Sequence, residues 1–291
     1  MAPTENAKNR AARIMLGGSF NPPTLAHRAL MEHAIHEVMS GTGRAAYGLY
    51  VPSSHEYVKR KMSRQKGTGR VLYSEKNRLE LLDAACGSPL AGVLDIEYGD
   101  DGKGHTYRTL CRVREKYPDD KIMFLAGADK LKIIPKWRDA KKLLSEFTVL
   151  VTCRDECGAE AMIRSDPLLS EYIWAFWLIP ELPGKYAGFS STKAREALMR
   201  GDRQTLYRLC GYEAAELAFR LLEDRHKDVY GKLACAVMEA GMDAVSDLVG
   251  YPASNIPNNE FFGAMFDAID QMPEDELEKF MAKYLPGAAG S

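Results

Sequence analysis

Gly17, Gly18, Ser19, Phe20, Asn21, Pro22, Pro23, Thr24 and His27 stand in one short run, after the apolar Ile14, Met15 and Leu16 and ahead of a helical pattern. Paired glycines let a backbone turn tightly and approach a ligand, and the prolines end the strand. His27 falls in the first helical turn, beside amides that lack an intrahelical acceptor. Such a turn suits a nucleotide phosphate. A second group, Gly127, Asp129 and Trp137, follows another strand-like run. Its carboxylate can accept hydrogen bonds from ribose hydroxyls and its indole can stack on a flat ring. Taken alone, the same residues read equally as an N-cap Asp and a core Trp.

A third group, Ser190, Ser191, Thr192, Lys193 and Arg195, opens a helix that runs toward Arg200 and stops at Gly201. Ser or Thr at a helix start ordinarily caps it. A capping box wants Glu or Gln three residues after the cap, and here those positions are Lys193 and Ala194. The amides are therefore expected to stay available to an anion, and the helix-start partial charge with Lys193 and Arg195 favours a triphosphate.

The first run resembles the signature of the nucleotidyltransferase superfamily, Gly-Gly-(Ser/Thr)-Phe-(Asp/Asn)-Pro-Pro followed by (His/Thr)-x-(Gly/x)-His. Thr24 stands where many members have His, and Ala26 where Gly is usual. Gly127 to Asp129 with Trp137 is similar to the Gly-x-Asp and stacking Trp of pyridine-nucleotide members, and Ser190 to Arg195 is similar to the Ser-Ser-Thr-x-x-Arg motif. All three occur in order over about residues 13–225. Together they identify the chain as resembling the nicotinamide/nicotinate mononucleotide adenylyltransferase family.

That resemblance implies adenylyl transfer from ATP to a pyridine mononucleotide, with pyrophosphate leaving. A phosphate monoester is already a competent nucleophile near neutral pH, so positioning and charge neutralisation carry the catalysis. His27 is expected to donate to the α-phosphate, Thr24 to add a neutral donor, and Arg195 with the Ser191 and Thr192 amides to hold the outer phosphates. ATP would be bound by Gly17, Gly18, Ser19, Phe20, His27, Gly127, Asp129, Ser190, Ser191, Thr192 and Arg195. The mononucleotide would meet Ser19, Phe20, Lys59, Tyr107 and Trp137. Lys59 comes from a basic stretch (Lys59, Arg60, Lys61, Arg64, Lys66 and Arg70) that otherwise reads as a solvated loop. Lys61 is the reserve, and Tyr107 reads equally as a packing residue. Magnesium is expected to be held through the substrate phosphates, with no protein metal site. His33 and His36 point away from His27 on a helix, and the Cys153 and Cys157 pair lacks the second pair a zinc site needs.

Alternating strand-like and helical stretches argue for an α/β, Rossmann-like parallel sheet with helices on both faces. Strands are expected at Ala46–Val51, Val93–Ile96, Ile122–Ala126, Phe147–Val151 and Ile173–Ile179. In such sheets ligands gather at the carboxyl ends of strands, where the Gly17 turn falls. Residues 1–12 read as a flexible tail, 13–225 as the nucleotidyltransferase domain and 226–291 as a helical extension. The stripe Leu233, Val237, Ala240, Ala244 and Leu248, and the Glu274, Asp275 and Glu276 start, suggest helices there. That extension would pack on the core or build a homo-oligomer contact.

With 291 residues, 46% hydrophobic and 27% charged, the chain can bury a full core. A net charge of -1 gives no general pull toward nucleic acid or an anionic membrane, so phosphate must be held by a local cluster. Six cysteines without a signal peptide or a membrane-length apolar run indicate reduced thiols and a cytoplasmic location. Two competing readings remain. One is transfer to phosphopantetheine, flavin mononucleotide or a polyol phosphate, against which Trp137 argues. The other is a nucleotide-binding regulator without turnover, against which His27 and Arg195 argue.

Overall fold

The computed structural model describes residues 10–65, 71–99, 105–153, 156–182, 184–224, 241–250 and 252–256, with residues 264, 265, 268, 269, 272, 276, 279, 280, 283 and 284 beyond them. Six strands, β1 (Ala12–Gly18), β2 (Ala46–Pro52), β3 (Ala91–Val93), β4 (Lys121–Gly127), β5 (Thr148–Cys153) and β6 (Phe176–Pro180), form one sheet in the order β3-β2-β1-β4-β5-β6. Every neighbouring pair is parallel. The unbroken apolar run Ile14, Met15 and Leu16 is buried because a central parallel strand is covered on both faces.

The connecting helices are α1 (Leu25–Thr42), α2 (His55–Ser63), α3 (Glu75–Cys86), α4 (Thr106–Lys116), α5 (Ala140–Glu146), α6 (Glu156–Ser165), α7 (Pro167–Glu171), α8 (Ser191–Met199) and α9 (Arg203–Cys210). One face of the sheet, through Met15, Val51, Phe124 and Val149, packs against Leu110 of α4 and Leu143 of α5. Strand order reverses between β1 and β4, so their carboxyl ends, Gly18 and Gly127, border the crevice where open α/β sheets take ligands.

Three details differ from the sequence reading. Ala12, placed in the tail, already pairs with Ala46 and Lys121. The strand expected at Val93–Ile96 is Ala91–Val93, because pairing with Gly48 to Tyr50 sets its register; Leu94 and Ile96 still turn into the core, which gave the run its strand-like look. Ile173–Ala175 is a 3-10 turn, and β6 begins only at Phe176.

The chain divides into two compact units. The first, Met1–Lys59 with Tyr73–Glu216, holds the sheet. The second, Arg60–Leu72 with Leu217–Ser291, has its own core, in which Val245, Ile256, Met265, Ile269 and Phe280 join Ala244 and Leu248 of the expected stripe. Leu233, Val237, Ala240, Glu274 and Asp275 lie outside the described residues, as do Lys66, Arg70 and the side chains of Cys153 and Cys157. Among the described residues no helix is long and apolar enough to cross a membrane.

Candidate active site

The first motif is a strand, a turn and a helix start. β1 ends at Gly18, and Thr24 is the N-cap of α1 in an extended conformation. Between them Phe20 adopts φ 44°, a left-handed backbone that costs a non-glycine residue about 1–3 kcal/mol unless its surroundings enforce it. The surroundings are explicit. Its buried ring meets His27 edge-on at 5.1 Å and Tyr50 at 5.9 Å. Asn21, also buried, accepts the Tyr73 N–H on its Oδ1 at 2.9 Å. Phe20 was expected to touch both substrates; because the ring points into the core, what it offers a ligand is its backbone. Gly17 is exposed, and a Cβ there would meet nothing within 4 Å, which leaves the strand end bare.

His27 is held in one orientation. Its Nδ1 receives the Thr24 backbone N–H at 3.0 Å and lies 2.9 Å from Thr24 Oγ1. An amide N–H can only donate, so the lone pair of neutral His27 sits on Nδ1 and the ring proton on Nε2. A half-buried N–H donor held in one orientation suits a developing phosphoryl charge. Thr24 is 0% exposed and its hydroxyl faces His27. The expectation that it adds its own donor to the phosphate is corrected: Thr24 orients the histidine.

The third motif is bound directly to the first. Ser191 Oγ donates to Pro22 O at 2.7 Å, and Arg195 Nη1 donates to Asn21 O at the same distance. Residues more than 160 positions apart thus share one turn, and His27 and Arg195 flank the same segment. Two expectations change. Ser190 does cap α8, accepting the Lys193 N–H at 3.2 Å, so the amides left without a partner among the described residues are those of Ser191 and Thr192. Arg195 is 2% exposed, with Nη2 on Thr192 Oγ1 at 3.1 Å. Burial lowers its pKa without discharging a guanidinium, so Arg195 stays a charged group turned inward, bracing the turn at Asn21.

The second motif stands at the carboxyl end of β4. Gly127 takes the N-cap position of the 3-10 turn Ala128–Lys132, which removes the N-cap reading of Asp129. The Asp129 side chain is 71% exposed and paired with Lys130 at 2.6 Å. It folds back over Gly127, where a Cβ would come within 2.7 Å of Oδ1. An exposed carboxylate at this edge is available to ribose hydroxyls. Trp137 is half-buried, its ring against Phe124 at 5.9 Å, so it belongs in part to the core.

Tyr107 is corrected. Its hydroxyl donates to Glu146 at 2.8 Å and its ring packs on Phe147. Both partners immediately precede β5, at the end of the sheet opposite Gly17. The hydrogen bond to Glu146 pushes the phenol up to about 12, while Tyr107 and Arg114 hold the Glu146 carboxyl below its usual range. Lys59 sits on α2, one turn beyond His55, on a helix that starts just after Ser53, whose N–H donates to Gly18 O at 2.9 Å. His33, as expected, stands apart from His27, its Nε2 2.8 Å from Pro180 O.

One residue escaped the sequence reading. Arg78 is fully buried and donates Nη1 to Ser19 O at 3.0 Å. A signal was present: Arg78, Leu81, Leu82 and Ala85 share one buried face of α3, so an arginine stands in the apolar stripe of its helix.

A cytidylyltransferase-like family model matches residues 15–197. A curated relative from Shouchella clausii, named "Probable nicotinate-nucleotide adenylyltransferase", is 28% identical over 188 residues, 64% of this chain and 84% of that protein. A relative of the same name from Carboxydothermus hydrogenoformans is 26% identical over 185 residues, 63% of this chain and 84% of that protein. Among solved structures, the Plasmodium falciparum nicotinic acid mononucleotide adenylyltransferase complexed with NaAD has a TM-score of 0.50 at 18% identity, covering 73% of this chain and 96% of that one. That likeness shows the fold.

Proposed function

Because the chain belongs to the cytidylyltransferase-like family, we propose that it is a nucleotidyltransferase that moves the adenylyl group of ATP onto a pyridine mononucleotide, with nicotinate mononucleotide as first candidate. The names of its relatives support that acceptor. The observation that carries the reading is the junction of two motifs at one turn, through Ser191 to Pro22 and Arg195 to Asn21, which ties the start of α8 to the segment between Gly18 and His27.

In the reaction an oxygen of the mononucleotide phosphate forms a bond to the α-phosphorus of ATP, the bond from that phosphorus to the β-bridging oxygen breaks, and pyrophosphate leaves with the electron pair. His27 donates from Nε2 to an α-phosphate oxygen as charge builds there. The Ser191 and Thr192 N–H groups serve the outer phosphates. Asp129 accepts from ribose hydroxyls, Trp137 offers a ring face to the pyridine, and Lys59 supplies a cation toward the mononucleotide phosphate. Among the described residues no group of three His, Cys, Asp or Glu could cage a metal. Magnesium would be carried by the substrate phosphates, where it would neutralise their charge.

The test is incubation with ATP, magnesium and either nicotinate or nicotinamide mononucleotide, followed by chromatography for the dinucleotide. Parallel reactions with phosphopantetheine, flavin mononucleotide and a polyol phosphate read the other acceptors by pyrophosphate release. Product from one of those and none from either pyridine mononucleotide rejects the proposed acceptor. ATP binding with no product from any of them rejects turnover.

A further inference from the structure

Arg78 lies in the first turns of α3, with no surface exposed. Its Nη1 holds Ser19 O, while Nε and Nη2 are buried and meet no acceptor among the described residues. The guanidinium stands over the Tyr98 ring, 5.5 Å from its centroid. The carboxylates that influence it, Glu75 and Glu97, are engaged elsewhere: Glu75 Oε1 accepts the His55 N–H at 2.8 Å and Glu97 Oε1 the Thr109 hydroxyl at 2.6 Å. A guanidinium stays charged even when burial lowers its pKa.

A buried charge without a directly paired carboxylate is a costly arrangement, and its field reaches further through a low-dielectric interior than it would through water. The Ser19 carbonyl it grips belongs to the turn whose neighbour Gly17 is exposed.

We propose that Arg78 is a positioning residue for the nucleotide phosphates: it fixes the Ser19 carbonyl and supplies, from beneath the Gly17 to Ser19 turn, a positive charge that the bound anion neutralises without touching it. This role rests on the nucleotide-binding reading given above.

Arg78→Gln keeps a donor for Ser19 and removes the charge, whereas Arg78→Lys keeps the charge. Each is compared with the parent for ATP affinity by titration calorimetry at low and high salt, alongside thermal unfolding. Arg78→Gln should weaken ATP binding about tenfold at low salt and flatten its salt dependence, the size expected of one partly screened charge. Arg78→Lys should stay within about threefold of the parent despite a lower Tm. Equal affinity in parent and Arg78→Gln overturns the role, as does equal weakening in Gln and Lys variants in step with lost stability. If Arg78→Gln does not fold, Glu97→Gln takes its place: unmasking the arginine should tighten ATP severalfold, and unchanged or weaker binding counts against the proposal. A parent that binds no ATP sinks the nucleotide reading itself, whereas ATP binding that ignores the charge at position 78 sinks only this inference.

Discussion

Arg78 and Arg195, 117 positions apart, each give one N–H to a backbone carbonyl, Ser19 O at 3.0 Å and Asn21 O at 2.7 Å, on the two sides of Phe20. Both guanidinium groups are buried, and the residue between them holds φ 44°. Charge-assisted hydrogen bonds to flanking carbonyls are strong enough to offset the cost of that backbone. The turn is therefore clamped from α3 and from α8 before any ligand arrives, and preorganisation of this kind is what a reaction catalysed by positioning requires.

His27→Ala is expected to lower turnover by about 10² to 10³, the range for losing one preorganised donor. The fixed tautomer sharpens the test. A Gln side chain can place an N–H near the Nε2 position, whereas Asn reaches only as far as Nδ1, so steady-state kinetics should rank Gln above Asn. The opposite rank, or an unchanged rate in the Ala variant, removes the donor role.

Arg195→Met should destabilise the protein by about 1.5–3 kcal/mol, because Asn21 O loses a charged donor. Denaturant unfolding measures this. Turnover should fall together with stability, since the turn carrying His27 loses one side of its clamp. A variant of parental stability with a raised KM for ATP alone would instead restore direct phosphate contact.

Gly127→Ala places a methyl group where the Asp129 carboxylate now lies, 2.7 Å from Oδ1. That carboxylate is exposed and can swing away, so Tm should hardly move while the KM for ATP rises severalfold. Asp129→Asn should reproduce the KM effect. If neither variant alters KM, Asp129 is not a ribose acceptor.

Tyr107→Phe should leave the KM for the mononucleotide unchanged, because the hydroxyl serves Glu146. Its effect belongs to stability against pH. Glu146 is held below its unfolded value, so its contribution is present above the ordinary carboxylate range and fades as pH falls through the depressed folded value. Removing the Tyr107 donor should shrink that acid-side loss in melts recorded from neutral to acid pH. A raised KM with an unaltered pH profile would return Tyr107 to the substrate.

The amino-acid sequence by itself determined whatever depends on neighbours along the chain. The strand, glycine turn and helix start of Gly17 to His27 and the α8 start at Ser191 all follow from local geometry, in which each residue's backbone preference sets its neighbours' options. The parallel sheet was legible for the same reason, as unbroken apolar runs need cover on both faces.

Tertiary structure alone decided what each side chain does with its charge or hydroxyl. Tyr107 meets Glu146 across 39 positions, Arg78 meets Ser19 across 59, and Arg195 meets Asn21 across 174. No local pattern encodes those partners. A guanidinium that could have faced solvent or a phosphate is committed inward only because helices from distant parts of the chain pack around one turn, and packing fixes which polar groups must satisfy each other once water is excluded.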